Sequence, residues 1–277
     1  MDTFTNLSYT QTKKKIISHH IFPNDSGKKT IRTEQKNYKR KVFDLRTYKN
    51  FNLDENGFCV DTYTYGGGDL FDDRFVKKKY FPLMAKYLKN KLKAKKVIIF
   101  DFNQRSFNTH MNSKNNHRIP VLYSHVDYTI DSGLKRTKEI LRNNKITFNQ
   151  KHRYSLINIW RPVKKVIVDY PLALCDGKTV LMNDLVQTNI YHYGMENLKK
   201  PRHSGKIYSL INNRNHKWYF LSKMRPNEIF LIKNWDSKHR EYENHVLNAP
   251  HSAIALPGKI KSKTRQSIEI RTLVIRD

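Results

Sequence analysis

The stretch from Tyr123 to Thr129 places an imidazole and a carboxylate two positions apart. In a β-strand, side chains alternate between the two faces, so His125 and Asp127 would project from the same face. One histidine and one carboxylate on a common face are two of the three ligands of a non-haem iron facial triad. The spacing therefore predicts a metal site that needs one more histidine from a distant part of the chain.

His251 is the candidate for this third ligand, and an arginine follows it along the chain. Arg265 lies in an Arg-x-Ser sequence that ends at Ser267 and opens the last alternating strand. The planar fork of a guanidinium matches the two oxygens of a carboxylate. We therefore expect Arg265, with the Ser267 hydroxyl beside it, to hold a carboxylate-bearing co-substrate next to the metal.

Two other histidine patterns compete for the same role. With 12 histidines and 24 acidic residues in the chain, roughly one His-x-Asp/Glu sequence is expected by chance, and His239–Glu241 is a second one. Its acid lies too close to His251 for the several strands that should intervene. His192 lies equally close to the Arg-x-Ser sequence at Arg202, in a stretch that indicates an exposed basic loop. We therefore prefer the triad described above.

The composition bounds the class of protein. A chain of 277 residues with 38% hydrophobic and 12% aromatic residues can bury a core, which argues against wholesale disorder. No apolar run approaches the roughly 20 residues of a membrane-spanning helix, and the N-terminus has no apolar signal core. Cys59 and Cys175 are too few for a disulfide framework, so we expect a reducing, cytoplasmic setting.

The formal charge of +29 has two interpretations. A partner rich in phosphate, such as nucleic acid or an anionic surface, would account for it. A lysine-rich composition spread over the whole surface would account for it without any partner. The lysine clusters are dispersed along the chain and are not confined to one arm or helix, which favours the second interpretation.

The hydrophobic pattern predicts a helical first half. Residues 1–40 are polar and basic, and we expect a loosely ordered arm there, followed by a single domain over residues 41–277. Apolar residues recur every three or four positions from Asp72 to Lys96, which predicts one amphipathic helix, or two helices in tandem broken near Pro82. A second helix is expected from about Asp131 or Ser132 to Arg142.

The second half of the chain is rich in predicted strands. Short strands with frequent turns are typical of a sandwich or barrel, so the fold class is α+β. The predicted strands, including two in the first half, are Arg40–Arg46, Val97–Phe102, Tyr154–Pro162, Val166–Val168, Thr179–Leu181, Ile207–Leu210, Trp218–Phe220, Ile229–Ile232 and Ile268–Ile275.

The strand from Tyr154 to Pro162 carries candidates for a substrate pocket. Asn158 and Trp160 share one of its faces, so a polar amide stands among large apolar side chains. A buried amide needs partners, which a pocket wall or a structural hydrogen bond would each supply. Arg161 and Arg105 are further candidates for contact with a substrate, and Arg161 is equally a candidate for a structural ion pair.

The chain resembles the CmcJ/AsaB-type hydroxylase and desaturase family, which is gibberellin-desaturase-like and related to the cephem methoxylases. The resemblance covers roughly residues 40–275. The blocks that carry it are Val42–Arg46, Phe51–Phe58, His125–Thr129, Asn158–Pro162, Asp169–Asp176, Trp218–Met224, Lys233–Ser237, Pro250–Ala253 and Arg265–Glu269. The chain departs from the family in its unusual basicity and in the lysine-rich stretch at residues 1–40.

This resemblance implies a fold, a cofactor and a reaction. The fold is a double-stranded β-helix, a jelly-roll or cupin-like core, with flanking helices from the N-terminal half. The family pattern places Fe(II) on His125, Asp127 and His251 and the carboxylate of 2-oxoglutarate on Arg265. The implied reaction uses dioxygen to convert 2-oxoglutarate to succinate and CO2 and to remove hydrogen from a C–H bond of a small, secondary-metabolite-like substrate, leading to hydroxylation or desaturation.

The basic charge leaves two alternatives open. One is a nucleic-acid-binding protein on a degenerate oxygenase scaffold, whose binding would depend steeply on salt and not on iron. The other is an oxygenase that acts on nucleic acid or on another anionic substrate. Iron-dependent formation of succinate separates the oxygenases from the binding protein.

Overall fold

The computed structural model describes residues 1–23, 26–107, 118–239, 245–258 and 264–277. Within these residues the chain forms a nine-stranded and a five-stranded β-sheet. The strands are β1 (Thr3–Thr10), β2 (Ile16–Ile21), β3 (Gln35–Asp44), β4 (Phe58–Thr62), β5 (Lys96–Ser106), β6 (His125–Val126), β7 (Arg153–Pro162), β8 (Leu172–Cys175), β9 (Leu185–His192), β10 (His203–Leu210), β11 (Trp218–Phe220), β12 (Glu228–Asp236), β13 (His251–Ala253) and β14 (Gln266–Arg276).

The order of the strands in the two sheets confirms the predicted jelly-roll core. The larger sheet runs β1-β3-β11-β8-β13-β6-β10-β9-β2, and the smaller one runs β4-β12-β7-β14-β5. Neighbours are antiparallel apart from the β3–β11 and β2–β9 pairs, which are parallel. Strands that are far apart in the sequence therefore lie side by side, as in a double-stranded β-helix.

The alternation of side chains along β7 separates the two faces of the smaller sheet. Trp160 packs towards the larger sheet in a cluster with Leu174 of β8. Ile157 and Ile159 point the other way, into a cluster with the helices of the first half. Asn158 shares the face of Trp160, so its amide points into the space between the two sheets.

The predicted amphipathic helix covers the outer face of the smaller sheet. It consists of α1 (Asp73–Phe75), a π-helical stretch (Val76–Tyr80) and α2 (Phe81–Lys91). Pro82 is the second residue of α2 and follows the π-helical stretch directly, and Tyr80 and Phe81 keep right-handed helical backbone angles. The predicted helix is therefore present, and near the proline its hydrogen-bonding pattern changes from π-helical to α-helical without a break in the helical backbone.

The second helix, α3 (Ile130–Asn143), begins slightly earlier than predicted. Thr129, rather than Asp131 or Ser132, is its N-cap residue. The hydroxyl of Thr129 accepts a hydrogen bond from the backbone N–H of Ser132, and the hydroxyl of Ser132 accepts one from the backbone N–H of Thr129. Within the described residues, no helix has the length and the apolar character needed to cross a membrane.

The first 40 residues differ from the loosely ordered arm that we expected. β1 and β3 pair in antiparallel register at one edge of the larger sheet, and β2 pairs with β9 at the other edge. Tyr9, Thr10 and His19 are wholly buried. Two of these three side chains are polar, so a search for apolar periodicity does not detect the strands. The division of the chain into an arm and a domain over 41–277 stays a prediction.

Two predicted strands are wrong, and six strands were not predicted. In the stretch Val166–Val168, Ile167 makes only a single bridge to Met224. In the stretch Thr179–Leu181, the first residue ends a 3-10 turn, Gly177–Thr179, whose start is capped by the carboxylate of Asp176. The strands that were not predicted are β1, β2, β4, β8, β9 and β13.

The burial of His19 leads to a prediction about stability and pH. Among the described residues, neither ring nitrogen has a hydrogen-bond partner. Burial, and then the charge of Arg32, lowers the pKa of His19 from 6.5 to about 4. The unfolded chain, with an ordinary histidine pKa, therefore binds more protons than the native state between these pH values, and the protein loses stability as the pH falls through this window. We expect His19→Leu to remove roughly 2 kcal/mol of the loss between pH 7 and pH 4.5.

Urea unfolding at pH 7 and pH 4.5 measures this difference. His203→Leu, which replaces an exposed histidine, is the matched control and should lose stability with pH as the wild type does. Parallel losses in the wild type and in His19→Leu would contradict the prediction.

Candidate active site

His125 and His251 face each other across two adjacent strands. They are the first residues of β6 and β13, and the antiparallel register pairs them directly. Directly paired residues project from the same face of a sheet. The centroids of the two imidazole rings lie 4.6 Å apart, and both side chains are buried. The sheet register therefore brings together two histidines that are far apart in the sequence.

Asp127 lies beside both histidines, just past the end of β6. One donor atom from each of the three residues lies within 4.8 Å of the other two. The Oδ2 atom of Asp127 accepts a hydrogen bond from Asn158 Nδ2 at 3.0 Å and lies 3.4 Å from Nη2 of Arg271. Burial alone would raise the pKa of Asp127, but Arg271 and the two histidines hold it well below its usual range. The carboxylate is therefore ionised and is held from the opposite sheet.

Hydrogen bonds to the backbone determine which nitrogen of each histidine is free. Nδ1 of His125 lies 2.9 Å from the carbonyl oxygen of Tyr123, and Nδ1 of His251 lies 3.2 Å from that of Ala249. A carbonyl oxygen only accepts, so Nδ1 donates and Nε2 keeps its lone pair. Burial, and then His251, lowers the pKa of His125 to about 3. This imidazole is therefore neutral at pH 7, as a metal ligand must be.

Arg265 is a buried guanidinium that forms no salt bridge within the part of the chain that the structure describes. Its Nη1 donates a hydrogen bond to the carbonyl oxygen of Tyr170 at 2.7 Å. Its Nε lies 3.4 Å from the hydroxyl of Ser267, and its plane lies 5.0 Å from the ring centroid of Trp160. Burial, and then the charge of Arg105, lowers the pKa of Arg265 to about 9. A buried cation without a counter-charge is costly, so a bound anion would stabilise this site.

These groups fit a divalent iron ion with a carboxylate-bearing co-substrate. Two imidazole nitrogens with free lone pairs and one ionised carboxylate are the donor set of a facial triad. Partners outside the donor set orient each ligand: two carbonyl groups for the histidines, and an amide and a guanidinium for the carboxylate. The buried, unpaired charge of Arg265 is the complement of a carboxylate.

The structure brings some of the predicted pocket residues to this site and separates one from it. Arg105 in β5 pairs directly with Ser267 in β14, so the two side chains share the face that looks onto the larger sheet. Arg161 points the opposite way. Its Nη1 donates to the hydroxyl of Tyr80 at 3.2 Å, and its guanidinium lies 4.6 Å from the ring centroid of Tyr65. Arg161 therefore joins the smaller sheet to the helices and lies away from the triad.

Two residues that hold Asp127 were not predicted. Arg271 lies on the same face of β14 as Ser267, so the alternation along this strand was a usable signal. Asn234 accepts a hydrogen bond from the backbone N–H of Asp127 at 3.4 Å. It lies where the register of β12 shifts between Lys233 and Trp235. The sequence offers no signal for such an irregularity.

The rival histidine patterns do not form a second site in the described residues. His192 and His203 pair directly at the ends of β9 and β10, with ring centroids 6.1 Å apart, so the expected exposed loop is wrong at both of its ends. Glu241 of the other pattern lies outside the described residues. The only group of three ligands that the structure describes consists of His125, Asp127 and His251.

The fold and this donor set are those of the non-haem iron oxygenases. A family model described as an oxidoreductase/YMDC permease-like domain matches residues 7–275. The chain is 31% identical over 216 residues to the alpha-ketoglutarate-dependent dioxygenase tstK of Talaromyces stipitatus, covering 75% of this chain and 73% of that protein. It is 26% identical over 281 residues to the hydroxylase/desaturase CTB9 of Cercospora beticola, covering 93% and 85% of the two chains.

A solved structure is similar to this chain over almost its whole length. The iron and alpha-ketoglutarate-dependent endoperoxidase NvfI aligns with a TM-score of 0.79 at 22% identity, covering 99% of this chain and 98% of that one. The chain belongs to the hydroxylase and desaturase family of Fe(II)/2-oxoglutarate-dependent oxygenases, as the sequence blocks predicted. The names of these relatives give no support to the nucleic-acid alternative.

The contact between Asn158 and Asp127 leads to a prediction about metal affinity. If the amide holds the carboxylate in the orientation that binds metal, Asn158→Ala should weaken Fe(II) binding by about 10- to 100-fold. Anaerobic calorimetric titration with Fe(II) measures the affinity. Asn144→Ala, which removes a similar side-chain hydrogen bond at the end of α3, should leave it unchanged. Equal affinities for both variants would count against this role of Asn158.

Proposed function

We propose that the chain is an Fe(II)- and 2-oxoglutarate-dependent dioxygenase that hydroxylates or desaturates a small molecule of the secondary-metabolite class. The observation that supports this most strongly is the convergence of His125, Asp127 and His251 within 4.8 Å. The proposal also draws on the relatives named as dioxygenases and as hydroxylase/desaturases. Bound Fe(II) would supply the position at which 2-oxoglutarate and dioxygen react.

In this proposal each side chain has one task. Nε2 of His125, Nε2 of His251 and a carboxylate oxygen of Asp127 hold the metal. Arg265 binds a carboxylate of 2-oxoglutarate through its guanidinium, and Ser267 keeps that guanidinium in place through the contact with Nε. The buried indole of Trp160 lies under the guanidinium and excludes water from it.

The protein controls the outcome through the substrate pocket. Removal of a hydrogen atom from a C–H bond is common to hydroxylation and desaturation, so the product depends on how the substrate is oriented. Asn158 and Trp160 are the pocket-wall residues that we propose from the smaller sheet, with Arg105 on the neighbouring edge strand. We also propose a cytoplasmic setting, in keeping with the two free thiols of Cys59 and Cys175.

A comparison of succinate formation in matched variants tests the proposal. The wild type should convert 2-oxoglutarate to succinate in the presence of Fe(II), slowly when no substrate is present and faster with a suitable one. His125→Ala should fall to the rate without enzyme. His152→Ala, which replaces a histidine on the loop before β7, should retain the wild-type rate. Equal succinate formation by the wild type and His125→Ala would remove the main support for the proposed reaction.

Arg265 provides an independent test of the co-substrate site. Arg265→Gln removes the positive charge and should raise the KM for 2-oxoglutarate by about 10- to 100-fold, because a hydrogen bond to a charged group is lost. The affinity for Fe(II) without 2-oxoglutarate should not change, since Arg265 is not a ligand in this proposal. An unchanged KM would exclude this residue from co-substrate binding.

A further inference from the structure

A second arginine, Arg105, faces the space between the sheets. Arg105 is partly exposed, whereas Arg265 is 2% exposed. The direct pairing of Arg105 with Ser267 places the side chain of Arg105 on the same face as Arg265 and Arg271. Its only hydrogen bond among the described residues runs from Nη1 to the backbone carbonyl oxygen of Ile119, at 3.0 Å. The other N–H groups of this guanidinium are therefore available to a ligand.

The three carboxylates near Arg105 all form salt bridges with Arg271. Asp127, Glu269 and Asp101 each lie within 3.4 Å of a guanidinium nitrogen of Arg271. No salt bridge within the described residues involves Arg105. The charge of Arg105 is thus left without a partner on a face where three carboxylates are already paired.

Two further arginines lie around the same opening. Arg118 forms a β-bridge with Arg105, so both side chains leave the backbone on the same side. The guanidinium of Arg32 lies 5.5 Å from the ring centroid of Tyr123, and that ring lies 5.1 Å from the ring of His125. Both Arg118 and Arg32 are exposed. We name Arg32, Arg105 and Arg118 the arginine rim.

The arginine rim adjoins the triad on the side of Tyr123. Tyr123 contacts His125 directly, and its backbone carbonyl accepts the hydrogen bond from Nδ1 of that histidine. The rim contains no carboxylate partner within the described residues, whereas the guanidinium of Arg271 is paired with three carboxylates. An arginine that is paired within the protein holds the fold together, whereas an unpaired one at an opening attracts an anion.

We propose that Arg105 binds an anionic group of the substrate, which makes the substrate of this enzyme a carboxylate-bearing small molecule. Arg118 and Arg32 attract the anion to the opening, and Arg105 holds it in a bidentate contact that aims the remainder of the molecule at the triad. This inference rests on the proposed function. It assigns different ligands to two arginines that share the face towards the larger sheet and form no salt bridge within the described residues: 2-oxoglutarate for Arg265 and the substrate for Arg105.

The test uses the protein loaded with Co(II) and saturated with N-oxalylglycine, an unreactive analogue of 2-oxoglutarate that occupies Arg265. The probes are aromatic and alicyclic carboxylic acids, each paired with its neutral primary amide. Calorimetry measures the Kd of each probe for the wild type, for Arg105→Gln and Arg105→Lys, and for the control Arg142→Gln. Arg142 lies exposed near the end of α3.

The wild type should bind acids of the panel more tightly than their amides. Arg105→Gln should weaken the binding of these acids by about 10- to 100-fold and leave the amides unaffected. Arg105→Lys should retain part of the affinity, because it keeps the charge but not the fork. Arg142→Gln should behave as the wild type does, and the Kd of N-oxalylglycine should be the same in all four proteins.

Three results would overturn the inference. The first is a panel in which no acid binds better than its amide. The second is an Arg105→Gln variant that binds acids as the wild type does. The third is loss of N-oxalylglycine binding in Arg105→Gln, which would assign this arginine to the co-substrate. Failure of the wild type to bind Co(II) and N-oxalylglycine would instead overturn the proposed function, and this inference with it.

Discussion

The ionised carboxylate of Asp127 is held between two β-sheets, and the candidate active site depends on this contact. Asp127 follows β6 of the larger sheet, but Asn158 and Arg271 of the smaller sheet bind its Oδ2 atom. An isolated carboxylate in such a buried position would take up a proton or be excluded by the cost of its burial. The two sheets must therefore be correctly placed relative to each other before the three ligands can converge.

Side-chain packing between the two sheets fixes their relative placement. Trp160, Leu174 and Phe230 belong to one buried cluster between the sheets, and the cation–π contact of Arg265 lies on the same indole. The aromatic core and the co-substrate site thus share a side chain. The histidines need less support, because the direct pairing of β6 and β13 sets their separation. Asp127 therefore depends on the packing of both sheets, whereas the two histidines depend mainly on the pairing of two strands within one sheet.

The parts of the site that follow from strand alternation could be predicted from the sequence. His125 and Asp127 share a face because they are two positions apart, and Asn158 and Trp160 share a face for the same reason. His251 was selected because an Arg-x-Ser sequence follows it, and the family resemblance implied the same ligand. Its direct pairing with His125 had no local signal, since no local pattern encodes a contact between distant strands. Arg161 was predicted near the pocket, yet it is the neighbour of Trp160 in a strand and so points to the opposite face.

The error over the first 40 residues has a physical origin. β1 and β2 bury threonine and histidine as well as aromatic side chains, so their polar sequence indicated a loose arm. The helix predicted over Asp72–Lys96 was easier to recognise, because its apolar stripe faces a sheet and its lysines face solvent. The formal charge of +29 was equally uninformative about the site. The guanidinium groups around the triad matter because of their positions and because some are paired with carboxylates and others are not, which no composition reveals.

A crystal structure of the protein with Fe(II) and N-oxalylglycine, prepared without oxygen, tests the convergence of the three ligands most directly. The anomalous signal of iron should form a single peak about 2 Å from Nε2 of His125, Nε2 of His251 and a carboxylate oxygen of Asp127, with a carboxylate of N-oxalylglycine against the guanidinium of Arg265. An iron peak elsewhere, or one that lacks any of these three ligands, would contradict the site described here.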